Sequence, residues 1–218
     1  MSDNQKTLNS SIEFTGVGLH TGEGVHMVIE PAKINHGVKF QRIDLENQPI
    51  LPADINLVTD TQRSTTLEKD NVKIVTVEHL MSALYALGVN NVLIKIDSSE
   101  VPILDGSAKY FVEEIQKVGL KVQDASLKYI DLPDPIHYTD PDSGSEILFV
   151  PTNNFIISVV LDYQNLALGT QYAEIRDLKD YSTEIAPCKT FVFLTELEKF
   201  CLLYTSDAAD DTPCVDLG

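Results

Sequence analysis

The chain has 218 residues, 43% of them hydrophobic and 22% charged, with 33 acids against 16 bases and a formal charge of −17. That suffices for one ordinary domain or two small ones around a real core, and it excludes wholesale disorder. The charge excludes a nucleic-acid or anionic-membrane surface, which needs clustered Lys and Arg, and no apolar run approaches the roughly 18 residues of a membrane helix.

The polar start, residues 1–8, has no signal-peptide core. Apolar and polar residues then alternate over the first 75 residues, with Val25, Met27 and Ile29 sharing one face. The pattern predicts strands over 11–15, 25–29, 37–43, 50–55, 64–68 and 72–76, punctuated by turns at Asn35-His36-Gly37 and Asp70-Asn71. The period then changes: Val77, Leu80, Met81, Leu84 and Leu87 mark an amphipathic helix, with Thr76 as N-cap and Gly88 as stop. A buried strand over 91–96 precedes a second helix that starts at Ser107, carries Ala108, Phe111, Val112, Ile115 and Val118 on its apolar stripe, and ends at Gly119.

Residues 123–126 read as a polar joint, followed by strands over 128–131, 136–138, 145–150 and 155–163 and a short helix over 178–185. Strands followed by helix thus begin to repeat, and the second half looks like an unfinished copy of the first. The fold class is α+β: two similar sheet-plus-helix domains, the second truncated. The expected bounds are 1–124, 125–200 and a non-native tail, 201–218. That tail holds four Asp and no Lys or Arg, and its CLLYTSDAAD and CVDLG ends resemble the two ends of a translated sequencing adapter. Cys201 and Cys214 leave with it, and a single Cys188 fits a reducing compartment, so the expected location is the cytoplasm.

Four stretches carry candidate chemistry, each with a plainer reading beside it. TGVGLHTG at 15–22 lacks the spacing and the following helix of a dinucleotide fingerprint and reads as a strand connection, with His20 unexplained by packing. Glu78 and His79 sit in the first turn of the best helix. Neighbours there point about 100° apart, and the helix start favours a carboxylate and disfavours a positive imidazole. The pair therefore suits a base beside a metal-ligating histidine, or a solvated helix start. A catalytic zinc takes three protein ligands, and no second or third can be assigned: His26 and Glu30 lie about 13 Å apart along a strand, and Cys188 sits where a free cysteine packs. Asp105-Gly106-Ser107 is a turn with an N-cap or part of a site, and Thr190 in CKTFVF is a lone hydroxyl or a strand edge.

TGVGLHTG, DTQRSTT at 60–66, TVEHL at 76–80, NNVLIKID at 90–97, VPILDGSA at 101–108 and KTFVF at 189–193 together resemble the UDP-3-O-acyl-N-acetylglucosamine deacetylases, zinc hydrolases of lipid A biosynthesis. The resemblance implies two similar α+β domains with the active site between them. It also implies Zn2+ as cofactor, with His79 the first zinc ligand and Glu78 the general base. Thr190 is implied to be the hydroxyl that stabilises the oxyanion, Phe191 an aromatic beside the substrate, and His20 and Asp105 supporting residues near it. The implied chemistry is amide hydrolysis in which a bound zinc would acidify a water, the carboxylate would take the proton and donors would hold the oxyanion as acetate leaves.

Two further zinc ligands, from a His-Lys-x-x-x-Asp helix, and a general-acid histidine are expected of that family and do not occur in this chain. The chain as written therefore reads as an incomplete, inactive enzyme. The competing reading is a catalytically silent α+β binding or scaffold module. The expected partner is the acylated UDP-sugar, with no nucleic acid, no integral membrane segment and a monomeric state.

Overall fold

The computed structural model describes residues 4–163 and 168–192; the adapter-like tail, 201–218, lies outside them. Two units are distinguished, Met1–Cys188 and Lys189–Gly218. The described part of the second, residues 189–192, is exposed coil. Among the described residues, all regular structure lies in the first.

The first unit is α+β. It opens with β1 (Asn4–Leu8), β2 (Ile12–Val17), β3 (Gly24–Pro31), β4 (Val38–Arg42), β5 (Ile50–Pro52), β6 (Val58–Asp60), β7 (Thr66–Lys69) and β8 (Val72–Ile74). Helix α1 (Glu78–Ala86), β9 (Val92–Ile96), α2 (Lys109–Val118) and β10 (Leu120–Ser126) follow. The main sheet has the order β2-β3-β9-β4-β5 and is antiparallel except where β4 runs parallel to β9. β6, β7 and β8 form a three-stranded meander, turned at Asp70 (φ 51°) and Asn71 (φ 62°), two residue types that tolerate the left-handed conformation.

The alternation in β3 puts Val25, Met27 and Ile29 in the core as expected. They meet Phe40, Ile94 and Ile96 of the same sheet, Leu80, Ala83 and Leu84 of α1, and Phe111, Val112 and Ile115 of α2. Phe14 and Phe111 pack edge to face with ring centroids 5.0 Å apart.

Several boundaries differ from expectation. Residues 123–126 are not a joint: they belong to β10, which pairs antiparallel with β1, itself inside the polar start. Residues 128–131 are not a strand, and Ile130 is 98% exposed. The strand expected over 50–55 stops at Pro52, and a 3-10 turn follows at Ile55–Leu57. Cys188 is exposed rather than packed, its thiol 3.2 Å from the Glu184 carbonyl.

Beyond β10 come two hairpins, β11 (Ile136–Thr139) with β12 (Glu146–Phe149), and β13 (Ile157–Asp162) with β14 (Thr170–Ile175). The short helix α3 (Tyr181–Glu184) follows a 3-10 turn at Leu178–Asp180. Tyr181 is buried, and its hydroxyl lies 2.7 Å from Ser82 Oγ of α1.

Candidate active site

Helix α1 places the Glu78–His79 pair. Gly88 (φ 73°) ends this helix as its sequence predicts. Its start is different: Val77 takes the cap position with no side-chain bond, and Thr76 is not the N-cap. Thr76 has φ 59°, a left-handed conformation unfavourable for a β-branched residue. Its hydroxyl turns away from the helix and donates to Glu100 at 2.7 Å. Glu78 is the first helical residue, half-buried, and its Oε2 accepts a hydrogen bond from the Thr65 amide at 3.0 Å. The stretch 60–66 therefore orients one carboxylate oxygen, and among the described residues Oε1 receives no hydrogen bond. His79 is half-exposed beside it.

Glu100 is the residue that reading the sequence missed. It has no accessible surface. Its carboxylate accepts bonds from the amides of His20 (3.1 Å to each oxygen) and Thr21 (2.9 Å), the Thr21 hydroxyl (3.0 Å) and the Thr76 hydroxyl. Burial pushes this carboxyl up, but the bonds from Thr21, Thr76 and His20 outweigh it and leave Glu100 below the ordinary glutamate range. The only sequence signal is an acid placed directly before the apolar run VPIL; the Asp97-Ser98-Ser99 that precedes it reads as a solvated turn.

The same contacts explain TGVGLHTG. The segment connects β2 and β3, as expected, and its amides do form an anion-binding concavity, but the anion is the chain's own Glu100. A Cβ at Gly18 would lie 2.4 Å from Glu100 Oε2 and 2.3 Å from Thr21 Oγ1, so only glycine admits this approach. His20 Nε2 is buried in this loop.

Asp105 lies in the turn before α2. Its Oδ1 accepts bonds from the Ser107 amide (3.1 Å) and hydroxyl (2.7 Å), and the buried Ser107 hydroxyl accepts from the Lys109 amide at 3.2 Å. The turn is as expected, but Ser107 is not the N-cap: α2 starts at Lys109, with Ala108 in the cap position and no side-chain cap bond. The Ile103 amide donates to the Val17 carbonyl at 3.0 Å, which sets the loop bearing Asp105 against the one bearing His20. Four of the singled-out stretches, at 15–22, 60–66, 76–80 and 101–108, therefore meet. Thr190 and Phe191 are exposed and belong to the second unit.

A catalytic zinc needs three protein donors. Among the described residues no three His, Cys, Asp or Glu side chains converge, so these residues do not by themselves fit a zinc ion. His26 pairs with Glu13, His36 Nδ1 lies 2.9 Å from the Gly37 carbonyl, and His137 lies 3.6 Å from Glu146; none of these partners is at α1.

Comparison with known proteins supplies the context. The chain is 44% identical over 194 residues to the bifunctional enzyme LpxC/FabZ of Bacteroides thetaiotaomicron, covering 89% of this chain and 42% of that protein. It is 40% identical over 194 residues to the protein of the same name from Porphyromonas gingivalis, with the same coverages. Against the UDP-3-O-acyl-N-acetylglucosamine deacetylase of Chromohalobacter salexigens it is 40% identical over 201 residues, covering 89% of this chain and 64% of that one. The chain thus spans about two fifths of the bifunctional relatives and just under two thirds of the single-activity one. Residues 5–202 match the family described as LpxC: UDP-3-O-acyl N-acetylglycosamine deacetylase, and the chain belongs to that family.

Proposed function

We propose that the protein to which these residues belong removes the N-acetyl group of UDP-3-O-acyl-N-acetylglucosamine in lipid A biosynthesis, as a zinc-dependent cytoplasmic monomer. The observation that carries the reading is the Glu78 carboxylate at the first turn of α1, held by the Thr65 amide through Oε2 with Oε1 left open beside His79. Such a carboxylate is suited to take a proton at Oε1 from an attacking water. His79 is the imidazole this chain contributes to zinc, the other donors lying outside the described residues.

Thr190 supplies a hydroxyl to the developing oxyanion, Phe191 lines the substrate, and His20 and Asp105 shape the floor of the site. Its walls are two α+β domains, 1–124 and 125–200, the boundary falling within β10. The 218-residue chain alone, with one imidazole at α1, is expected to hold zinc weakly and to release no acetate.

The test is acetate release from the acylated UDP-sugar by the full-length protein. Glu78→Gln keeps the shape and removes the base, and kcat should fall by roughly 10²- to 10⁴-fold. A wild-type protein that releases no acetate overturns the proposal in favour of a silent binding module.

A further inference from the structure

We propose that Glu100 is a positioning residue for the candidate active site, its buried carboxylate clasping the His20–Thr21 turn and the Thr76 hydroxyl at once. The clasp fixes the histidine-bearing loop against the start of α1. The donors come from two segments about 55 residues apart in sequence: His20 and Thr21 between β2 and β3, and Thr76 two residues before Glu78. The backbone on either side of Glu100 completes the link, since the Val75 amide donates to the Ser99 carbonyl at 2.8 Å and the Val101 amide to the Val75 carbonyl at 3.1 Å.

Stability alone is a poor reason for this arrangement. A carboxylate without accessible surface is costly to bury, and the described residues offer it no Lys or Arg partner. What it gains is direction: charge-assisted bonds are short and orientation-sensitive, and these hold Thr76 in its left-handed conformation, from which α1 departs. Gly18 leaves the space the carboxylate needs. Among the described residues, no hydrogen bond joins Glu100 to Glu78 or His79, and Glu100 acts through the backbone that carries them.

The kinetic part of the test rests on the deacetylase reading, and the exchange part does not. In the full-length protein, Glu100→Gln replaces one acceptor oxygen by an NH2 facing N–H and O–H donors. Amide hydrogen exchange at His20 and Thr21 should accelerate roughly 10- to 100-fold, with the sheet amides of Phe40 and Ile94 unchanged. Counted per folded molecule, the kcat for acetate release should fall at least about tenfold with KM within about threefold, the pattern of an interaction that acts in the transition state.

Thr21→Val removes one donor from an exposed residue and should accelerate the same amides by roughly 3- to 10-fold. If E100Q does not fold, T21V decides alone. Unchanged exchange at His20 and Thr21, equal acceleration in the sheet, or faster exchange with undiminished kcat in an active enzyme overturns the proposal. A wild type without acetate release removes the deacetylase reading and leaves the clasp to the exchange data.

Discussion

Glu100 stays ionised inside the protein because the amides of His20 and Thr21 and the hydroxyls of Thr21 and Thr76 face it, and protonation dismantles that arrangement. Its folded-state value lies below the ordinary 4.5, which the unfolded chain recovers. Between the two values the unfolded state binds the extra proton. The stabilisation is therefore complete above about pH 4.5 and lost as pH falls through the folded value. In urea titrations, the stability difference between wild type and E100Q should shrink from pH 6 toward pH 3; a constant difference would count against an ionised Glu100. The Glu78–His79 pair was readable because a helix start exposes its residue types to inspection. Glu100 was not, since its donors lie up to 80 residues away and only the fold brings them together.

At the level of elements, the helices and the central strands follow from periodicity, whereas β1 and β10 escape it. Both are largely polar, and beyond the core contacts of Leu8 and Leu120 what holds them is an amide network. Asn91, buried at the entry to β9, accepts from the Gly37 amide at 2.8 Å and donates to Gln5 of β1 at 2.8 Å and Gln123 of β10 at 2.7 Å. Gln123 in turn donates to the Ala32 carbonyl at 2.9 Å, past the end of β3. Such residues look like loop formers in a sequence, because pairing of side-chain amides leaves no periodic mark. Asn91→Ala strands three partners at once and should cost about 2–4 kcal/mol in chemical denaturation. A loss below about 0.5 kcal/mol would show that water replaces the network without penalty.

Across the whole of the first unit, cover is uneven between the two halves. Residues 4–126 enclose a continuous core, and the β13–β14 hairpin borrows some of its shelter. Ile175 is buried, the Tyr85 and Phe155 rings approach to 5.4 Å, and an apolar cavity of about 270 Å³ lies among Tyr85, Phe155, Ile157, Tyr181 and Ile185. Among the described residues, the β11–β12 hairpin has no such support. Every residue of both strands is exposed, including Ile136, Tyr138, Leu148 and Phe149. An uncovered two-stranded hairpin is marginal in water and opens often enough for a protease to enter. Brief digestion of the 218-residue chain should therefore cut first between β10 and β13. Trypsin has exposed Lys128 there and chymotrypsin has exposed Tyr129 and Tyr138, while Lys109 and Lys117 on α2 are held by the core beneath that helix. The resistant product should end near residue 128 and retain the far-ultraviolet signature of an α+β fold. First cuts within α2 or the β2-β3-β9-β4-β5 sheet would mean that the core of residues 4–126 depends on the hairpins after all.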